Sequence, residues 1–106
     1  MNLFELQVRI HDIAKAHGWW EEPCEDGTLI SLMHAELSEA LEWLRKDPEA
    51  KSDHIPEFLG VEEELADCII RILDFAGAKR LKVIGAMLAK IQFNDTRSYR
   101  HGEKRF

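Results

Sequence analysis

Apolar residues recur along this chain at steps of three and four, the spacing that brings side chains to one face of an α-helix. Leu3, Leu6, Ile10, Ile13 and His17 form the first such stripe. Asn2 followed by Glu5 reads as a capping box at its start, and Gly18 as the stop at its end. Residues 19–28, Trp-Trp-Glu-Glu-Pro-Cys-Glu-Asp-Gly-Thr, are rich in turn formers and predict a connecting loop. Ile30, Met33, Leu37, Ala40, Leu41 and Leu44 make the second stripe and predict a helix from about Leu29 to Lys46. Asp47-Pro48 ends it, because the residue before proline is pushed out of the helical region. After a polar linker over 47–60, the pattern predicts a third helix from about Val61 to Ala76, with Leu65, Cys68, Ile69, Ile72 and Leu73 inward and Gly77 as its stop. A fourth is expected from about Lys79 to Thr96, with Leu81, Ile84, Leu88 and Ile91 apolar. Nothing alternates with period two for long enough to be a strand. The fold class read from this pattern is all-α, a four-helix bundle whose short loop at 77–78 makes the last two helices antiparallel neighbours.

Composition narrows the class without changing it. A chain of 106 residues is one domain, 1–106, and 45% hydrophobic with 32% charged residues is the balance of a globular protein rather than a disordered one. No apolar run approaches the roughly 20 residues that cross a bilayer. The opening Met1-Asn2-Leu3-Phe4-Glu5 lacks the basic and apolar regions of a signal peptide, so a cytoplasmic location without membrane partners is expected. Cys24 and Cys68 have no zinc or redox spacing and read as reduced thiols.

The net charge of −6 argues against a nucleic-acid polymer as partner. Charge is unevenly spread, however. Acids crowd 21–26, 36–42 and 57–67, whereas 90–105 carries Lys90, Arg97, Arg100, Lys104 and Arg105 against only Asp95 and Glu103. Such a division suits a site holding cations and a polyanion together; it equally suits an acidic surface with a basic end.

The second predicted helix contains Glu36-Leu37-Ser38-Glu39 and the third Glu64-Leu65-Ala66-Asp67. Acids at i and i+3 share a helix face, and two such pairs on adjacent helices supply the hard oxygen donors that Mg²⁺ prefers. A single E-x-x-E is common on solvated faces. Here Glu36 lies at the edge of the apolar stripe, between Met33 and Ala40, and Glu64 likewise between Val61 and Cys68. Four carboxylates about 5 Å apart would repel by roughly 3 kcal/mol per pair, on the order of 20 kcal/mol together. That exceeds the roughly 5–15 kcal/mol that holds a domain folded, so cations or protons must neutralise the cluster if it exists.

A di-iron bundle site needs Glu-x-x-His, and the residues three before His11, His17, His34, His54 and His101 are Val8, Ala14, Ser31, Lys51 and Ser98. None is an acid. Oxygen ligands alone point to Mg²⁺, with Mn²⁺ as a substitute, acting on a phosphate ester or anhydride. Lys90, Asn94, Arg97 and His101 fall at i, i+4, i+7 and i+11, one helix face on which a phosphate could be gripped. The alternative is a solvated C-terminal turn whose cations favour the helix dipole.

The order Glu36-x-x-Glu39, then residues 40–63, then Glu64-x-x-Asp67 resembles the MazG-like all-α nucleoside triphosphate pyrophosphohydrolases. The resemblance extends over most of the chain. His17-Gly18-Trp19-Trp20 with Glu22-Pro23 looks like the family's opening, and His34 through Glu42 and Glu63 through Asp67 look like its two metal helices. Asn94-Asp95-Thr96-Arg97-Ser98-Tyr99-Arg100-His101-Gly102 is similar to a tail seen in many members, where proline often replaces Ser98.

The resemblance implies hydrolysis of a nucleoside triphosphate to the monophosphate and pyrophosphate, with a house-cleaning role on deoxynucleotides. It assigns Glu36, Glu39, Glu64 and Asp67 to Mg²⁺, with Glu39 and Glu63 as catalytic carboxylates, Glu63 orienting water. Lys90, Asn94, Arg97, Tyr99 and Lys104 would hold phosphates or sugar. Trp19 and Trp20 are candidates to stack on a base, one packed and one near the nucleotide; Trp43 within its helix reads as packing. His34 and Cys68 read as structural. The resemblance also implies a homo-oligomer, dimer or tetramer, whose pocket borrows residues from a second chain. Two rivals stand beside this reading: a related phosphoanhydride hydrolase, acting for example on phosphoribosyl-ATP or a nucleoside diphosphate, and a non-catalytic helical interaction or regulatory module.

Overall fold

Asn2 starts the first helix as its spacing to Glu5 implies: its side chain accepts the Glu5 N–H at 2.9 Å and donates to the Glu5 carboxylate at 3.0 Å. In this computed structural model, which describes residues 1–97, α1 spans Leu3–Ala16. Gly18 follows at φ 86°, a turn that glycine makes without steric strain. α2 runs Asp26–Lys46, starting earlier than the apolar pattern suggests. Asp26 favours the positive end of the helix dipole and pairs with Lys79 at 2.8 Å, so Gly27 and Thr28 are drawn into the first turn. Its end at Asp47, before Pro48, is where the sequence places it.

The linker 47–59 is more ordered than its composition suggests. Ser52 and Phe58 are joined by a backbone hydrogen bond of 2.9 Å, Gly60 and Ala50 by another of 2.9 Å, and Lys51 and Leu59 form an isolated bridge. Ser52 is buried at its centre. α3 then spans Gly60–Lys79, its first turn closed by Glu62 accepting the Leu59 N–H at 2.8 Å.

Gly77 does not end this helix. It lies inside α3 where α1 crosses, and a Cβ there would stand 3.1 Å from His11 Cβ, so the glycine serves close approach rather than termination. The stop is Arg80, at φ 56°, with the Leu81 N–H reaching back to Ala76 O at 2.9 Å. α4 is accordingly shorter than expected, Val83–Asp95.

α2 and α3 pack along each other, and α1 lies on α3. Met33 against Cys68 and Trp43 against Gly60 show an antiparallel register, one number rising as the other falls. Met33, Ala40, Cys68, Leu73, Ala76 and Ile84 are the buried apolar residues, and Trp43 packs on the backbone of Gly60, in keeping with the packing role expected of it. The expected pairing of the last two helices does not form. α4 makes no extended contact with α3, and within it only Ile84, in its first turn, is buried. Moving the stop from Gly77 to Arg80 changes where α4 departs. Among the described residues the fold is all-α, with three packed helices and a fourth that projects. Its radius of gyration is 16.4 Å, against about 13 Å for a compact chain of this length. No described helix is long and apolar enough to cross a membrane.

Candidate metal centre and adjoining cleft

The antiparallel register of α2 and α3 brings three of the four predicted ligands together. One carboxylate oxygen each from Glu36, Glu64 and Asp67 lie within 4.8 Å of one another. Glu36 is buried, and Glu64 and Asp67 are half-buried, so the edge-of-stripe positions seen in sequence translate into inward-facing acids. Glu39 stands outside this trio. It is exposed and flanks Glu64 in a shallow depression shared with Trp43 and Lys46.

The trio is electrostatically unsatisfied. Glu64 Oε2 is buried and has no hydrogen-bond partner among the described residues. Burial first, and then the neighbouring carboxylates of Glu39 and Glu36, which favour a shared proton over a third negative charge, push the Glu64 carboxyl up to about 8. Asp67 is raised too, by burial first and then by the charges of Glu36 and Glu63, with Arg71 opposing. An all-oxygen donor set with one orphaned oxygen fits a hard divalent cation, and in its absence a proton takes that place.

Beside the acids runs a cleft of about 310 Å³, lined by Ile10, Ile13, Trp19, Trp20, Glu36, Asp67, Arg71 and Asp74 among others. Trp20 is half-buried, and its indole N–H donates to both Asp74 oxygens, at 3.0 and 3.1 Å. His11 Nδ1 meets the same carboxylate at 2.7 Å, and the His11 and Trp20 rings pack edge to face at 5.7 Å. Trp19 is 66% exposed at the rim. Of the adjacent tryptophans one is tethered and half-buried and the other is open, and both line the cleft.

Three functional candidates escaped the reading of the sequence. Arg71 donates from Nε to Glu36 at 3.0 Å, and Asp74 with His11 fixes the Trp20 wall. A signal for the first existed: Asp67, Arg71 and Asp74 continue the face of Glu64 at steps of three and four. His11 gave none, because its partner lies 63 positions away.

Other predicted residues are placed elsewhere. Both Glu63 oxygens are taken by the linker, one by Ser52 Oγ at 2.5 Å and one by His54 Nδ1 at 2.8 Å. These bonds hold its carboxyl below the usual glutamate range, and the Glu63 hydrogen bond and charge raise the exposed His54 ring above the ordinary histidine value. Lys90, Asn94 and Arg97 are exposed on or just beyond α4 and do not line the cleft. Lys90 and Arg97 instead flank the Phe93 ring, at 4.4 and 5.4 Å from its centre. Tyr99 and Lys104 lie outside the described residues. His34 is exposed, and Cys68 is buried with its thiol 3.6 Å from Met33 O.

No family model, curated protein or solved structure matches this chain.

Proposed function

We propose that this chain is a Mg²⁺-dependent nucleoside triphosphate pyrophosphohydrolase, converting a (deoxy)nucleoside triphosphate and water into the monophosphate and pyrophosphate. The observation that carries the reading is the orphaned Glu64 oxygen inside a trio of acids, opening on an aromatic-walled cleft. Glu36, Glu64 and Asp67 would hold the cation, with Glu39 beside Glu64 completing the set. Mg²⁺ bound there would polarise phosphoryl oxygens and make water more acidic, which is the help a phosphoanhydride needs. Trp19 and Trp20 offer flat faces to a base, as stacking in nucleotide binders requires. Asp74 and His11 keep the Trp20 ring in place.

The reading includes assembly into a homo-oligomer. Leu88, Ile91 and Phe93 on α4 and Ile69 on α3 are half exposed or more, apolar side chains that a second copy of the chain would cover. A neighbouring chain covering it would also bring Lys90, Asn94 and Arg97 toward a site that lacks them within one chain.

The test is a panel of canonical and modified NTPs and dNTPs, with phosphoribosyl-ATP and nucleoside diphosphates included, assayed with Mg²⁺ and with EDTA. Pyrophosphate and monophosphate in equal amounts, from triphosphates and only with the divalent ion, are expected. Orthophosphate as the product, or no turnover of any compound, rejects the proposal.

A further inference from the structure

Along α3 the groups lining the cleft follow one order: Asp67 at the acid end, with Glu64 of the trio behind it, then Arg71, then Asp74 holding Trp20. At about 1.5 Å of rise per residue, Arg71 stands roughly 6 Å along the axis from Asp67 and roughly 4.5 Å from Asp74. It lies between the metal candidates and the aromatic wall. Among the residues lining the cleft it is the one cation, against Glu36, Asp67 and Asp74. Glu36 fixes it through Nε at 3.0 Å, the one hydrogen bond it makes among the described residues. Its two Nη groups are thereby left for a further acceptor, in the planar fork that matches two phosphoryl oxygens. Its side chain is 33% exposed, enough for a ligand to reach.

We infer that Arg71 binds the phosphoryl group next to the nucleoside, gripping the α-phosphate through its Nη groups while Glu36 holds its Nε. The inference rests on the proposed nucleotide substrate and adds a contact made within a single chain. A nucleoside against Trp20 places its first phosphate beside Arg71 and its outer phosphates toward Glu64 and Asp67. Glu36 then has two tasks, one oxygen on Arg71 and the other toward the cation, which the four acceptor sites of a carboxylate allow. Arg71 is a substrate contact, and its ion pair with Glu36 sets its direction.

Binding, separated from turnover, is the measure. The four deoxynucleosides and their 5′-monophosphates are titrated with Mg²⁺ into the wild type, Arg71→Gln and Arg71→Lys, following tryptophan fluorescence and heat. The wild type is expected to bind the preferred monophosphate at least roughly tenfold more tightly than its nucleoside, the factor one charge-assisted hydrogen bond supplies. Arg71→Gln should bring the two within about twofold, with nucleoside affinity retained, and Arg71→Lys should keep part of the difference. The Mg²⁺ concentration that half-saturates thermal stabilisation should stay within about twofold in all three proteins.

A monophosphate preference that survives Arg71→Gln overturns the inference. Equal weakening of both ligands, or a wild type that does not distinguish them, does so as well, the former leaving Arg71 only a partner for Glu36. Monophosphates are products, so the experiment does not depend on catalysis. A protein that cleaves no triphosphate yet loses its phosphate preference with Arg71→Gln would refute the hydrolase reading and uphold this one.

Discussion

Replacing Glu64 by glutamine tests the electrostatics on which the site depends. Unit charges 4.8 Å apart repel by roughly 3.5 kcal/mol at an effective dielectric of 20, so three ionised carboxylates in the trio amount to about 10 kcal/mol. That rivals the whole stability of a small domain, and Glu64 responds by keeping its proton up to a pH of about 8. A carboxyl raised above its unfolded value of 4.5 contributes stability that is complete below pH 4.5 and is lost as pH rises through 8. The full shift would correspond to about 5 kcal/mol, and screening on the water-facing side reduces this to about 2 kcal/mol. Urea unfolding in EDTA should show wild-type stability falling between pH 5 and 8, and Glu64→Gln holding its low-pH value across that range. Mg²⁺ should reverse the decline in the wild type, more at pH 8 than at pH 5 because the proton on Glu64 competes less there, and leave the variant unchanged. Metal-free wild-type stability that is flat or rising over this interval would refute the argument.

Other substitutions probe separate parts of the molecule. Asp67→Asn and Glu39→Gln are each expected to abolish pyrophosphate release without unfolding the protein, judged by circular dichroism; retained turnover in either removes that residue from the ligand set. Gly60→Ala should destabilise by about 1–3 kcal/mol, because its Cβ would sit 2.4 Å from the Trp43 ring in a packed contact, and a thermal midpoint equal to the wild type's would contradict the packing described. Asp74→Ala leaves the Trp20 and His11 donors unpaired, costing about 1–3 kcal/mol, and should red-shift tryptophan emission as the ring loses its tether. Leu88→Glu with Ile91→Glu should convert an oligomer to monomer in light scattering, and an unchanged mass would exclude α4 from the interface.

Much of the secondary structure was open to a reader of the chain. Period-three-and-four stripes, the Asn2 cap and the Pro48 stop act through neighbouring residues, so their consequences for α1 and α2 are local and legible. The acids could be nominated the same way, because Glu36 and Glu64 interrupt apolar stripes where a solvated residue would be out of place. Gly77 misled for a physical reason. Glycine at a helix end and glycine at a helix crossing look alike until His11 is seen beside it, and the position of the next helix depends on which applies.

What only the tertiary structure decided are pairings between distant segments. Convergence of Glu36 on Glu64 and Asp67 follows from the register of α2 against α3. The recruitment of Arg71 into the acid cluster, of Asp74 to Trp20 and of Glu63 to Ser52 and His54 likewise depends on which helix faces which loop. Composition and spacing say which side chains are available for charge and coordination. Packing alone determines which of them meet, because a carboxylate acquires its proton, its metal or its arginine from whatever the fold puts within a few ångströms of it.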